Sequence, residues 1–312
     1  LSLSVPLRWT GYTGVGFSRI SVNPSLSIIY KLNYAWRFTV HASYKERYGE
    51  MTDLYDRPYQ TDYRNSVWNC GILPVYRQQL YSVYGEYKNT AREFFATVNL
   101  THNREWYNRI YEQRIENGQI QRVSLPLSNH GSGYTVKSTL SKGFYDLGLK
   151  TSLLALLNIS KAEQISGGQR LPYQYRLMRL EPKVIWTPNR HWETSYQTDI
   201  RYGGSKIGER TRLAPLWNVT QQVQLSYIFS PIEASLSVDH YHNDVNEDQS
   251  VNAVFADFSV LWKSRRLQIT ATATNLFDKR TYGYTRYASL ESYTSWVRIR
   301  PREFLVAIRY QL

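Results

Sequence analysis

The last ten residues alternate without interruption, with Phe304, Val306, Ile308, Tyr310 and Leu312 on one side and Glu303, Leu305, Ala307, Arg309 and Gln311 on the other. A period of two puts alternate side chains on opposite faces of an extended chain, so the segment reads as a strand with one apolar face and one mostly polar face. The pattern recurs along the whole sequence. Residues 1–9 set Leu1, Leu3, Val5, Leu7 and Trp9 against Ser2, Ser4 and Arg8. Residues 36–44 set Trp36, Phe38, Val40, Ala42 and Tyr44 against Arg37, Thr39, His41 and Ser43. Leu147, Leu149, Leu153, Ala155, Leu157 and Ile159 share a parity, as do Val223, Leu225, Tyr227 and Phe229, and then Val254, Ala256, Phe258, Val260 and Trp262. Leu267, Ile269, Ala271 and Ala273 face away from Gln268, Thr270, Thr272 and Thr274.

Connections between these segments fall into two length classes. Short ones occur at 31–34, 88–91, 143–146, 187–191, 230–233 and 263–265, and long polar ones at 48–62, 107–130, 203–212, 243–250 and 278–298. Alternation of short turns with long loops is the topology of an outer-membrane barrel, whose short turns are periplasmic and whose long loops are external. The count is about fourteen strands with both ends on the short-turn side. Residues 1–312 thus read as one all-β unit, a transmembrane antiparallel up-and-down barrel in the bacterial outer membrane.

A soluble sandwich also alternates, and the aromatic residues separate the two cases. The chain has 27 Tyr, 9 Trp and 10 Phe, yet its mean hydropathy is −0.50. It contains no apolar run of about eighteen residues, so no membrane helix is expected. Tyr30, Trp36, Tyr87, Trp186, Trp192, Phe229 and Trp262 all flank short turns. Amphipathic rings collect where hydrocarbon meets head groups, which gives barrel strands their interfacial girdles.

Charge and motif content narrow the chemistry. Lys plus Arg total 38 against 25 acids, a net charge of +13. This is a basic solvated surface, or one that attracts anionic head groups or an anionic solute. The basic residues are scattered without a recognition motif, which argues against nucleic acid. Cys70 is the only cysteine, so no internal disulfide is possible. No metal-ligand spacing, phosphate loop or nucleophile motif is present, so neither an enzyme nor a cofactor is expected. Glu193, Gln197, Asp199 and Arg201 share the polar face of one segment and are expected to pair as part of a wall. No charged leader or apolar signal core precedes the first strand pattern, and Leu1 opens inside it, so the chain is expected to begin partway through a longer polypeptide.

The stretch Ile269-Thr-Ala-Thr-Ala-Thr-Asn-Leu-Phe-Asp-Lys-Arg-Thr-Tyr-Gly-Tyr284, followed by Arg300-Pro-Arg-Glu-Phe-Leu-Val-Ala-Ile-Arg-Tyr-Gln-Leu312, resembles the C-terminal end of TonB-dependent outer-membrane receptors. The start at Arg300, Pro301 and Arg302 is especially similar to receptors that carry a carboxypeptidase-regulatory-like N-terminal domain. Members usually finish on Phe, whereas this chain finishes on Leu312. Physically, Asn275 to Asp278 would mark where a strand leaves the sheet, with Asn and Asp side chains satisfying local backbone groups. Pro301 would start a strand in which it cannot donate.

The resemblance implies a barrel of about twenty-two strands closed by an N-terminal plug, with a TonB-binding segment ahead of the plug. Residues 1–312 show no pattern expected of either, so this stretch would be the C-terminal barrel portion of such a receptor. The implied function is TonB-dependent uptake of a scarce solute. The implied partners are outer-membrane lipid, the remaining barrel strands and plug from the same or another chain, the TonB system and a surface lipoprotein. Two other readings stay open: a stand-alone fourteen-stranded channel, and a non-transporting barrel that serves as a structural or assembly partner. Pro6 disfavours the channel, because a closing seam tolerates a missing donor poorly. Ligand contact is expected in the loops at 48–62 and 107–130, where Tyr55, Tyr59, Tyr107 and Tyr111 offer flat amphipathic surfaces. Packing of those loops over the lumen would account for the same residues.

Overall fold

The computed structural model describes residues 1–13, 16–116, 118–208, 211–245, 249–287 and 292–311. Its main sheet joins 18 strands, four of which belong to two loop hairpins. The other fourteen form one antiparallel meander: β1 Ser2–Ser4, β2 Ser25–Lys31, β3 Trp36–Tyr48, β4 Val75–Asn89, β5 Phe94–Tyr107, β6 Asn129–Phe144, β7 Leu149–Ser166, β8 Gln169–Asn189, β9 Trp192–Ile207, β10 Thr211–Phe229, β11 Ile232–Asp244, β12 Ser250–Lys263, β13 Leu267–Thr274 and β14 Glu303–Tyr310. Each pairs with its sequence neighbour, from Leu3↔Leu26 at one edge to Ile269↔Ile308 at the other. Among the described residues no register joins β1 to β14. Leu312 lies outside the described residues.

Register carries the two-faced pattern across the sheet. Ile28, Val40, Val83, Leu100, Val136, Leu157, Met178, Tyr202 and Trp217 form one continuous row of cross-strand partners. The aliphatic members Ile28, Val40, Val83, Leu100, Val136 and Leu157 are each 37–47% exposed, which is too much for a packed core. The next row, on the opposite face, runs Thr39, Tyr84, Asn99, Lys137, Leu156, Arg179, Arg201, Asn218 and Asn243. Among the described residues the buried aliphatic side chains are Ile110, Val123, Ile165, Ala253 and Ala256, together with Pro74. A sheet this large with its apolar face uncovered by protein has hydrocarbon as its matching solvent.

The aromatic residues that flank short turns all lie on that apolar face. Trp36 packs on Tyr87 at 4.7 Å between ring centroids, and Trp192 on Tyr227 at 4.7 Å. Trp186 stands opposite Leu149, and Trp262 opposite Ile232. At the other end of the band Tyr81, His102 and Tyr134 stack across β4, β5 and β6, and Tyr202 packs on Trp217. The face is therefore ringed at both margins, as a bilayer-spanning wall requires.

Three expectations need correction. Residues 1–9 are not one strand: the ladder stops at Val5 and Pro6 and resumes as a separate hairpin, Leu7–Tyr12 with Phe17–Val22, because Pro6 has no donor to continue it. The loop after β3 runs on to residue 74 and contains a second hairpin, Tyr59–Gln60 with Asn65–Trp68. Short and long connections do not alternate strictly. β7 and β8 meet through Gly167 and Gly168, whose positive φ of 57° and 75° suits a two-residue turn. Here the long side is reached by the strands themselves, of 18 and 21 residues.

Candidate functional site

The loops at the long side build the most buried part of the molecule. The hairpin Ile110–Glu116 with Gln119–Leu125 rises from between β5 and β6. Its first strand lies parallel to the end of β7 (Glu112↔Ile165), and its second parallel to Asn65–Trp68 (Ile120↔Asn65). Loop backbone is thereby hydrogen-bonded into the main sheet, which satisfies groups that a free loop would leave to water. Ile110, Val123 and Ser124 are fully enclosed there, with Asn69, Glu112 and Ile165 around them. Asn108 locks the base: its Nδ2 donates to Leu73 O at 2.9 Å, and its Oδ1 accepts from Val75 N at 2.7 Å.

Under this cluster lies a cavity of about 710 Å³. The polar face of the wall contributes Tyr107 from β5, Asn129 from β6, Gln164 from β7 and Tyr173 from β8, and the loops contribute Tyr111 and Arg122 among others. Arg122 lies 3.6 Å from the centroid of the Tyr111 ring, and Arg109 approaches the same ring at 5.0 Å. Arg109 also bonds Asp53 at 3.0 Å, which ties the loop after β3 to the loop after β5. Burial pushes the Tyr111 phenol up from its ordinary value, and the two guanidiniums pull it back part of the way. The arrangement offers an aromatic face, a guanidinium held over it, and amides and hydroxyls around the rim.

Of the four tyrosines expected to contact ligand, Tyr107 and Tyr111 both line this cavity. Tyr55 and Tyr59 pack edge to face at 6.1 Å in the neighbouring loop, outside the lining. Arg109, Arg122 and Tyr173 went unnoticed in the sequence. The Asn117-Gly118 pair, flanked by alternating residues, is the hairpin signal that places Arg122 diagonally across from Tyr111. Lower on the polar face, Asp199 accepts two bonds from Arg179 at 3.0 Å and three from Arg201 at 2.6–3.2 Å, and Arg179 also pairs with Glu181. The paired wall thus joins Asp199 and Arg201 to β8, with Glu193 and Gln197 outside the network. Beside it the β8–β9 ladder passes from Leu180↔Ile200 to Lys183↔Gln197 with Glu181 and Pro182 unpaired on that side, where Pro182 has no donor to give.

The sequence matches no protein-family model and no curated protein. Among solved structures, the chain is similar to the FrpB iron transporter from Neisseria meningitidis (F3-3 variant), at 9% identity and a TM-score of 0.50 over 85% of this chain and 44% of that one. It is also matched to BauA, the ferric preacinetobactin receptor from Acinetobacter baumannii, at 8% identity and a TM-score of 0.47 over 93% and 52%. FyuA, the ferric yersiniabactin uptake receptor from Yersinia pestis, gives 7% identity and a TM-score of 0.44 over 93% and 50%. The chain spans about half the length of these receptors. The likeness to FrpB shows the fold alone, the antiparallel up-and-down wall of an outer-membrane β-barrel.

Proposed function

We propose that this chain is barrel wall of a TonB-dependent outer-membrane receptor, and that the cavity beneath its loop cluster is a contact point for the imported solute. The observation that carries the reading is the continuity of that cavity with the polar face of the wall: Tyr107 and Tyr173 belong to both. A solute released from Tyr111 and Arg122 would descend along hydroxyl, amide and paired charged side chains. Movement there needs a plug and an energy source, which the motif at 269–284 and 300–312 implies by resemblance. Eight or so further strands would complete the barrel and cover the edges at β1 and β14. FrpB is an iron transporter, but a fold-level likeness does not carry its cargo over. The cavity's own chemistry suits a polar organic solute with a planar or anionic group, bound and passed on without a reaction.

The test is solute uptake by the complete product in cells with and without TonB. Loss of uptake without TonB, with surface binding retained, is the expected result. Uptake that persists at full rate without TonB, together with steady conductance in planar bilayers, would replace the receptor by an open channel.

A further inference from the structure

On β5, β7, β8 and β9 the apolar face ends toward the long loops in basic residues that no carboxylate among the described residues answers, unlike Arg77 of β4, which pairs with Glu46 at 3.2 Å. On β5 the outward row runs Leu100, His102, Arg104, and on β7 Leu157, Ile159, Lys161. On β8 it runs Leu180, Met178, Arg176, and on β9 Ile200, Tyr202, Gly204, Lys206. On each strand the named cation is the first one met after the apolar band ends, so the coincidence does not depend on strand tilt. The four are neighbours in the sheet: Arg104 pairs with Ser132, Ser132 with Lys161, Lys161 with Gln174 and Gln174 with Lys206, while Arg176 lies one step below Gln174. All four are exposed. Among the described residues none of them meets an Asp or Glu within ion-pair distance. Glu163, the nearest acid on β7's outward row, is taken by Arg170 at 2.5 Å.

Two of the cations are aimed by neutral partners. Arg104 Nε donates to His102 Nε2 at 3.3 Å, and His102 is itself stacked on Tyr134 at 4.3 Å with its Nδ1 donating to Gly133 O at 3.0 Å. The Gln174 amide oxygen, in the orientation that satisfies both groups, accepts from Arg176 at 3.2 and 3.3 Å. Such partners orient a guanidinium without neutralising it. We propose that Arg104, Lys161, Arg176 and Lys206 form a binding surface for the phosphate groups of an anionic lipid in the outward leaflet. The location selects a lipid over a soluble anion: the four cations stand directly above the hydrocarbon band and outside the aromatic margin of Tyr81, His102, Tyr134 and Tyr202, where head groups lie. Guanidinium and ammonium donors together match phosphate oxygens, and each cation near an anionic membrane surface strengthens attachment severalfold. The inference rests on the membrane reading of the apolar face and is independent of energised uptake.

The complete protein in zwitterionic detergent would be titrated with bisphosphorylated lipid A, or with the same lipid after enzymatic removal of its phosphates, and bound lipid counted by native mass spectrometry. The wild type is expected to bind the phosphorylated lipid at least about tenfold more tightly than a variant carrying Arg104→Gln, Lys161→Gln, Arg176→Gln and Lys206→Gln. The single variant Lys161→Gln should fall between them. A control carrying Lys137→Gln, Lys150→Gln and Lys183→Gln on the opposite face should bind as the wild type does. Equal affinity for the two lipids, an unaltered affinity in both outward-face variants, or an equal loss in the opposite-face control would overturn the proposal. Retention of both lipids through their acyl chains alone would do so while leaving the membrane reading intact.

Discussion

Ile110 and Leu100 are both aliphatic residues on antiparallel strands, yet the first is fully enclosed and the second is 47% exposed. Ile110 sits in the loop cluster, where two hairpins and the end of β7 close around it as in an ordinary protein interior. Leu100 sits in the wall, where each strand has neighbours only at its sides. The loop cluster is held by water exclusion, and the wall by its continuous ladder and by whatever solvent meets its apolar face. One chain therefore carries two kinds of stability, and they should respond to different perturbations.

The sharpest separation comes from Ile110→Ala, which leaves a cavity in the loop cluster and should cost about 2–5 kcal/mol there. Hydrogen exchange should show residues 110–125 losing protection while β9 to β12 keep theirs. Simultaneous loss in both would mean that cluster and wall unfold as one unit. The converse substitution, Leu100→Arg, puts a charge in the middle of the apolar band and should cost about 2–4 kcal/mol in lipid. Asn99→Arg, one residue away on the polar face, should stay within about 0.5 kcal/mol. Equilibrium unfolding of the two variants from lipid vesicles measures the difference, and equal effects would deny the two faces their different solvents.

At the outer end of β13 the wall supplies its own small interior. Asn275, 6% exposed and at φ 52°, donates through Nδ2 to Lys279 O at 2.7 Å and to Arg300 O at 2.9 Å, and accepts from Lys279 N at 3.0 Å. Its own backbone N–H donates to Asp257 Oδ1 at 2.7 Å. Asn275→Ala strands those backbone groups and should cost roughly 2–3 kcal/mol, with loss of exchange protection confined to the β13–β14 connection. Protection lost throughout the loop cluster as well would show that the connection supports both regions.

That site was legible beforehand because an Asn-x-x-Asp stretch at a strand end carries its own local hydrogen-bond solution. The parity of the wall was legible for the same reason: a period of two is a local property, and it placed the apolar rows and turn-flanking aromatics on one face. Tight turns were half legible. The glycine pair at 167–168 is a hairpin signal that the division of connections into short turns and long loops passed over. The cavity was the least legible feature. Arg122 meets Tyr111 only once the 110–125 hairpin has formed, and the parallel pairing of Ile120 with Asn65 joins segments that share no local pattern. Tyr107 and Tyr111 were found through composition, while Tyr55 and Tyr59, chosen on the same ground, fell outside the lining.

The mildest test uses pH. Asp278, at φ 50° after the strand exit, accepts from Arg302 N at 3.0 Å through Oδ1 and from Arg280 Nη2 at 3.1 Å through Oδ2. The Arg302 backbone donor, followed by the Arg280 side chain, holds its carboxyl below the ordinary carboxylate value. Because the folded group stays ionised to lower pH than the unfolded one, its contribution is complete above the ordinary value and is lost as pH falls through the depressed one. Exposure keeps the effect small. Asp62 titrates in the same direction, since its carboxylate accepts from the Asn65 side chain at 2.7 Å and from the Arg64 and Asn65 amides at 2.8 and 2.9 Å, so the loop tip should loosen with it. The Ile110 amide, inside the cluster, should not follow. Acidification from about pH 6 to about pH 3 should therefore lower the protection factors of Arg302 and Asn65, taken against the intrinsic exchange rate at each pH, and leave that of Ile110 unchanged. A protection factor at Ile110 that falls in step with that of Arg302 would tie the enclosed cluster to the exposed carboxylates and collapse the distinction between the two regions.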